Sequence, residues 1–198
     1  MTRKYELKDR AKTQEETRQR IVEAAIELHG TVGPARTTVS AIADRAGVQR
    51  HTYYRHFPDE RSLALACSGL HYERDPLPDP APWIEIAEPD ERLREGLHQL
   101  YAYYARNEPM LANVNRDAEV DPLTREMMGL RVAPRMAEIR EALADGLAVG
   151  RIRHRVQAAL TLALDFHTWR SLVRDSGLSQ ADAVDLMVDS VVNVGAKA

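Results

Sequence analysis

Side chains that bond readily to bases and phosphates are concentrated between residues 49 and 55 of this 198-residue chain. Glutamine, arginine, histidine and threonine can donate to or accept from base edges and phosphate oxygens. The residues are Gln49, Arg50, His51, Thr52 and Arg55. Their chemistry is that of nucleic-acid recognition. Thr38 adds a second feature, because backbone N–H groups at a helix N-terminus can meet a phosphate.

Two short helices must position these side chains. The first follows Thr38 as its N-cap and has apolar residues at helical spacing (Val39, Ile42, Ala43 and Ala46). Gly47 ends it, and the second helix runs from about Gln49 to His56. Two helices joined by a glycine-containing turn describe a helix-turn-helix, whose second helix enters the major groove of DNA. A glycine also joins the two helices of an ordinary helical corner. The polar and aromatic residues are therefore what distinguishes a DNA-binding motif from such a corner.

The pattern T-T-V-x-x-I-A-x-x-A-G-V-x-x-x-T-[apolar]-Y-x-H-F-P occupies residues 37–58. It resembles the DNA-binding head of the TetR family of transcriptional regulators, over roughly residues 17–66. The matching residues are Thr37, Thr38, Val39, Ile42, Ala43, Ala46, Gly47, Val48, Thr52, Tyr53, Tyr54, His56, Phe57 and Pro58, followed by Leu63. The resemblance implies a dimeric regulator, most often a repressor, that binds a palindromic operator in double-stranded DNA.

The resemblance also implies roles for single residues. Ile42, Ala43, Val48 and Phe57 would form the core of the head, while Thr38, Tyr54 and His56 would contact phosphates. The expected DNA-binding residues are Thr37, Thr38, Gln49, Arg50, His51, Thr52, Tyr54, Arg55 and His56. Two positions depart from the family pattern: His51 stands where glycine is common, and Glu60 stands where a phosphate-binding lysine is common. Arg61 is the candidate to replace that lysine.

Composition narrows the classes of protein. One cysteine excludes an intramolecular disulfide framework and a multi-cysteine metal site. The first residues have no apolar stretch typical of a secretory signal, and no window is apolar enough for a membrane span, so we expect a cytoplasmic protein.

Residues 1–66 hold 12 lysines and arginines against 9 acidic residues, whereas residues 67–198 hold 15 against 21. This asymmetry fits either a polyanion partner for the first part or a solvated tail.

Hydrophobic periodicity predicts an all-α protein of about nine helices. We expect a basic arm at residues 1–13, a helix-turn-helix domain at 14–58, and a helical effector-binding and dimerisation domain at 59–198. The predicted helices outside the helix-turn-helix are Thr13–Thr31, Glu60–Glu73, Asp90–Arg106, Pro109–Glu119, a segment from Pro122 toward Gly150 broken or kinked near Pro134, Val156–Arg174 and Ser179–Val194. The proline-rich segment Asp75–Pro82 reads as an extended connection.

The last two predicted helices are apolar enough to need covering on several sides. The family plan makes Val156–Arg174 and Ser179–Val194 a homodimer interface, and the alternative is that they complete a monomeric core. Aromatic, sulfur and polar residues in the middle of the chain suggest a small-molecule effector site, with core packing as the alternative. The effector candidates are Trp83, His98, Tyr101, Tyr104, Met127, Arg131, Phe166 and Trp169.

Two other classes of protein are alternatives to a DNA-binding regulator. The first is an enzyme, but the chain has no metalloprotease, nucleophile-elbow, phosphate-loop or dinucleotide motif. We therefore predict no catalytic residue, metal or cofactor. Cys67 lies among apolar neighbours, where packing is its expected role. The second is a helical interaction module that binds no preferred DNA. Such a module would be insensitive to Arg50→Ala and Tyr54→Phe.

Overall fold

A computed structural model describes residues 2–147 and 153–196 of the backbone, and the side chains of residues 11–147 and 154–194. The described residues are all-α and contain no strand, which confirms the predicted fold class with ten helices where about nine were expected. They are α1 Thr2–Thr31, α2 Val39–Ala46, α3 Arg50–His56, α4 Glu60–Arg74, α5 Pro89–Ala118, α6 Pro122–Arg131, α7 Ala133–Ala144, α8 Arg153–Ala163, α9 Phe166–Arg170 and α10 Gln180–Ala196. None of these helices, over the part of the chain described, is long and apolar enough to cross a membrane.

The chain forms two compact units. The N-terminal unit comprises Met1–Pro76 and Pro109–Arg131, and the C-terminal unit comprises Leu77–Glu108 and Val132–Ala198. The N-terminal unit thus includes α4 and α6 besides the predicted segment 14–58. The functional division at residue 59 stays a prediction.

One hydrophobic cluster holds the first four helices of the N-terminal unit together. Helix α1 contributes residues spaced to share one face of a helix. Helices α2 and α4 each contribute two more, α3 contributes Tyr53, and Phe57 follows directly after α3. The buried members are Ile21, Val22, Ala24, Ala25, Ile42, Ala46, Tyr53, Phe57, Leu63 and Cys67. The expected packing role of Cys67 agrees with its place in this cluster, where it is 4% exposed.

Helix α1 begins at Thr2, so the expected start at Thr13 is wrong. The capping-box pattern at Thr13 does not interrupt the helix, and the Thr17 hydroxyl donates to the Thr13 carbonyl as in a helix interior. Residues 2–12 contain no glycine or proline and are rich in good helix formers. The predicted basic arm at residues 1–13 is therefore part of this helix over residues 2–13.

Two prolines differ in their effect on the helices around them. Pro134 stands in the first turn of α7, after α6 has ended at Arg131, which confirms the predicted break. Pro109 lies inside α5, so the two helices expected over residues 90–119 are one. A proline removes one hydrogen bond but does not always end a helix when neighbouring packing holds it. Here Tyr104 and Leu111, within a few residues of Pro109, are buried.

The single helix predicted over Val156–Arg174 is also wrong. Helix α8 ends at Ala163, α9 occupies Phe166–Arg170, and a π turn follows at Ser171–Asp175. The Asp165 carboxylate accepts from the backbone N–H groups of His167 and Thr168, at 2.8 and 3.0 Å, and so caps α9. The hydroxyls of Tyr101 and Tyr104 donate to the carbonyls of Ala163 and Leu164, at 2.9 and 2.6 Å. These bonds satisfy carbonyl groups that a break would otherwise leave buried and unpaired.

Candidate nucleic-acid interface and cavity

The turn between α2 and α3 depends on two local devices. The Thr38 hydroxyl accepts from the Ala41 N–H at 3.1 Å and caps α2. Gly47 then adopts φ +65°, a left-handed conformation in which a side chain is unfavourable, and its N–H bonds back to carbonyls of α2. Both devices agree with the sequence prediction, and they determine where α3 begins.

Helix α3 is held to the unit by two aromatic side chains. Tyr53 and Phe57 are each 1% exposed, with ring centroids 6.1 Å apart. The Arg18 guanidinium lies 5.1 Å from the centroid of the Phe57 ring. Burial raises the pKa of Tyr53 to about 12, so its hydroxyl stays protonated. Because one face is anchored in this way, the opposite face of this short helix is left to solvent.

The predicted DNA-binding residues lie together on this motif. Tyr54 is 46% exposed, and its ring meets Tyr53 edge-on at 5.3 Å. The other exposed residues are Thr38, Gln49, Arg50, His51 and Arg55, and the half-buried ones are Thr37, Thr52 and His56. The Thr37 hydroxyl donates to the Gly33 carbonyl at 2.7 Å, and the side chains of His51 and Thr52 approach within 3.3 Å. The surface thus presents a mixture of cationic and neutral hydrogen-bonding groups.

His56 is a neutral member of this surface. Desolvation lowers the pKa of its imidazole, and the nearby charges of Arg55 and Arg18 lower it further. Its Nε2 atom is buried and has no hydrogen-bond partner in the described structure. A phosphate oxygen can accept from this nitrogen if it carries the proton.

The two positions that depart from the family pattern differ in their surroundings. Glu60 is exposed at the first turn of α4, where an acidic side chain suits the helix dipole. The Arg61 guanidinium, the expected replacement for the missing lysine, donates to the Glu126 carboxylate at 2.9 Å. A phosphate contact by Arg61 therefore requires that this exposed ion pair opens.

Polar side chains of α5 brace the connection that leads into α2. The Asn113 amide donates to the carbonyls of His29 and Gly30, at 3.1 and 3.0 Å, near the end of α1. The Asp117 carboxylate, 2% exposed, accepts from the Ala35 N–H at 3.0 Å and from the Arg116 guanidinium at 2.7 Å. These bonds satisfy orphan groups of the helix end and hold the segment that precedes the Thr38 cap.

A cavity of about 240 Å³ lies inside the N-terminal unit. Residues from all six α-helices that the unit contains wholly or in part line it, including α2 and α3. His29 and His71 also line it, although no pattern in the sequence predicted them as cavity residues. Their one signal in the sequence is position within amphipathic helices, which describes core residues equally well.

The eight predicted effector residues are not brought together. Met127 lines the cavity, and Arg131 lies beside it, with guanidinium contacts to Ser68 Oγ at 3.4 Å and the Leu65 carbonyl at 3.1 Å. The other six belong to the C-terminal unit, where His98 is exposed and Trp83 is 1% exposed. The remaining four, Tyr101, Tyr104, Phe166 and Trp169, are buried.

These four rings pack chiefly against one another. The Tyr104 ring lies 5.6 Å from that of Phe166 and 6.0 Å from that of Trp169, between ring centroids. Burial raises the pKa of the Tyr101 and Tyr104 hydroxyls, which keeps them as donors to the carbonyls at the α8–α9 break. This arrangement is that of a packed core, and ligand binding by these residues stays a prediction.

Comparisons with known proteins agree with this geometry. Residues 21–67 match the family model described as bacterial regulatory proteins, tetR family. No curated protein matches the chain. Among solved structures, a TetR-like transcriptional regulator from Rhodococcus sp. is 19% identical with a TM-score of 0.64, covering 92% of this chain and 97% of its own.

Two further solved structures share the fold at similar sequence identity and TM-score. The transcriptional regulator FadR from Bacillus subtilis, in complex with stearoyl-CoA, is 17% identical with a TM-score of 0.61, covering 89% of this chain and 98% of its own. HlyIIR, a hemolysin II transcriptional regulator, is 18% identical with a TM-score of 0.60, covering 90% and 98%. At these identities the likeness concerns the fold. Residues 21–67 therefore match the tetR family of bacterial regulatory proteins, and the described residues share the fold of TetR-like regulators.

Proposed function

We propose that this protein is a dimeric transcriptional repressor that binds a palindromic operator and is released from it by a small molecule. One observation carries the proposal: the polar face of α3 is exposed while Tyr53 and Phe57 anchor the opposite face. Recognition helices need this division, because base edges are read only by side chains that a braced helix projects into the major groove.

The side chains divide by chemistry into two groups. Thr38, Tyr54 and His56 are proposed to contact phosphates, which position the head but carry no sequence information. Gln49, Arg50, His51 and Arg55 are proposed to face bases, where an arginine can bond guanine through two hydrogen bonds. Thr37 and Thr52, which are half-buried, complete the proposed contact set.

The proposed dimer uses the C-terminal unit. Helices α8 and α10 pack against each other, and each also carries an exposed leucine: Leu162 is 62% exposed and Leu186 is 43% exposed. The proposed dimer would remove both leucine side chains from water, which favours association. A two-fold dimer presents two recognition helices to half-sites about 34 Å apart, one turn of DNA.

Release by a small molecule is supported by analogy and by the cavity. The FadR structure contains stearoyl-CoA, so this fold accommodates a ligand in at least that protein. Repression follows from steric exclusion, since a dimer on a promoter blocks the polymerase. The effector acts only through a difference in affinity between the DNA-bound and released conformations.

The test is selection from a random duplex pool at about 150 mM salt, where nonspecific phosphate binding is weakened. We expect enrichment of a palindrome. Arg50→Ala should lower affinity for that duplex by about 5- to 150-fold and relax one base position, as expected for a lost base contact. Arg140→Ala, an exposed arginine of α7, is the matched control and should bind like the wild type.

Two results would contradict the proposal. One is a folded, dimeric protein that enriches no duplex, both as purified and after refolding has removed any bound ligand. The other is equal binding to all duplexes with no effect of Arg50→Ala, which indicates a helical module without sequence preference.

A further inference from the structure

The cavity inside the N-terminal unit has the size of a small bicyclic molecule. Its volume of about 240 Å³ exceeds that of a 150 Å³ apolar cavity known to bind benzene, and is smaller than the roughly 300–1,000 Å³ of drug-sized pockets. We propose that this cavity is the effector site and takes an uncharged aromatic molecule with one hydrogen-bonding group. This inference rests on the proposed function and adds the site and the chemistry of the ligand.

The walls suit an aromatic ring. Apolar and sulfur-containing side chains dominate them, among them Ile26, Leu63, Met110, Met127 and Met128. Thioether sulfurs make favourable contacts with ring edges, and flexible methionines adapt to a ligand's outline. The Met127 sulfur lies 3.8 Å from Ser68 Oγ, so a polar group also stands next to this apolar wall.

The polar lining is neutral where it is most buried. The Nε2 atom of His71 is buried and has no hydrogen-bond partner in the described structure, although the residue lines the cavity. Burial lowers the pKa of His71 and lowers that of His29 to about 4, so both imidazoles are uncharged near neutral pH. Burial also raises the pKa of the Cys67 thiol to about 11. A ligand hydroxyl can supply the partner that His71 lacks.

Anionic ligands find no cationic side chain in the lining. None of the side chains found to line the cavity is a lysine or arginine. Arg131 contacts Ser68, but its guanidinium is also bound to the Leu65 carbonyl and does not line the space. The acidic lining residues are Glu60, which is exposed, and Asp121, which caps α6 through the Thr124 N–H at 2.8 Å. A carboxylate would therefore lose hydration without gaining a cationic partner.

The cavity contacts the elements that hold the recognition helix. Val39 and Ile42 of α2 and Tyr53 of α3 line it. Tyr53 is also one of the two anchors of α3, so a ligand that shifts this ring shifts the helix that reads DNA. A ligand bound here has different contacts in conformations that differ in the packing of α2 and α3, which is the requirement for coupling. By linkage, operator DNA must change ligand affinity by the same factor by which the ligand changes operator affinity.

The first experiment measures binding of three probes to the full-length protein without DNA, by calorimetry. The probes share one ring system and differ in charge: 2-naphthol, 2-naphthoate and naphthalen-2-ylmethylammonium. We expect 2-naphthol to bind at least about 10-fold more tightly than either charged probe, because desolvating an unpaired charge costs more than a lost hydrogen bond. Equal or tighter binding of a charged probe, or no binding of 2-naphthol, overturns the inference. This measurement does not depend on DNA recognition, so its failure is distinct from failure of the proposed function.

Variants then locate the site. Ala64→Phe places a ring in the cavity and should abolish 2-naphthol binding, whereas Ala137→Phe, the same change at an exposed residue of α7, should leave it unchanged. His71→Phe roughly conserves volume and should weaken 2-naphthol binding by about 5- to 10-fold while leaving naphthalene binding unchanged, as expected for one lost hydrogen bond. Unchanged 2-naphthol binding in a folded Ala64→Phe or His71→Phe protein overturns the assignment. His71→Phe decides the question if Ala64→Phe does not fold.

The last arm tests coupling to DNA. On the duplex obtained by selection, saturating 2-naphthol should weaken wild-type operator binding, and the duplex should weaken 2-naphthol binding by the same factor. Operator binding that is insensitive to 2-naphthol, despite tight probe binding, overturns the regulatory role of the cavity.

Discussion

The buried imidazole of His29 should make the stability of this protein depend on pH in a defined window. Desolvation lowers its pKa from 6.5 to about 4 in the folded state, and the Asp117 carboxylate opposes this only in part. The unfolded chain therefore binds a proton at a higher pH than the folded chain does. The contribution of His29 to stability is fully present above about pH 6.5 and decreases as the pH falls toward 4. Below about pH 4, this group causes no further loss of stability.

The magnitude follows from the difference between the two pKa values. A difference of about 2.5 units corresponds to an upper limit on the order of 3 kcal/mol in the free energy of unfolding. Between about pH 7 and pH 5 the expected loss is on the order of 2 kcal/mol. His56 and His71, whose pKa values are also lowered by burial, act in the same direction.

The assay is urea unfolding followed by far-ultraviolet circular dichroism, at fixed protein concentration and at both pH values. His29→Gln removes the titrating group and should show a pH-dependent loss smaller than that of the wild type by on the order of 2 kcal/mol. His154→Gln, at an exposed position, is the control and should lose as much as the wild type. If His29→Gln loses as much stability as the wild type over this interval, His29 does not titrate as argued.

Two more predictions concern the C-terminal unit. Tyr104→Phe removes the donor to the Leu164 carbonyl and should destabilise the protein by about 1–3 kcal/mol, measured by urea unfolding, because a buried acceptor is left unpaired. Tyr54→Phe, at an exposed ring, is the control and should change the free energy of unfolding by less than about 0.5 kcal/mol. If the two variants lose the same stability, the Tyr104 hydroxyl does not stabilise the break between α8 and α9. Leu162→Asp should convert the dimer to monomer in sedimentation experiments, whereas Leu130→Asp, at a leucine of α6 that is 50% exposed, should not. A wild-type monomer, or a Leu162→Asp dimer, would contradict the proposed interface.

The sequence determined the features that depend on neighbours in the chain. Thr38 caps α2, Gly47 adopts a left-handed conformation after it, and Asp59 caps α4, all through atoms within a few residues. Such devices are legible because side-chain caps and positive φ angles restrict residue type at one position. The family resemblance likewise assigned Phe57 to the core of the head, and its side chain is 1% exposed.

Only the tertiary structure decided the features that require distant partners. Helix α5 continues through Pro109, and the helix expected over residues 156–174 breaks where Tyr101 and Tyr104 bond its carbonyls from about 60 positions away. The cavity likewise combines His29, His71 and Met127, which no local pattern places together. Periodicity shows that a side chain faces the inside of the fold, but packing decides whether that interior is filled, as around Trp169, or left open.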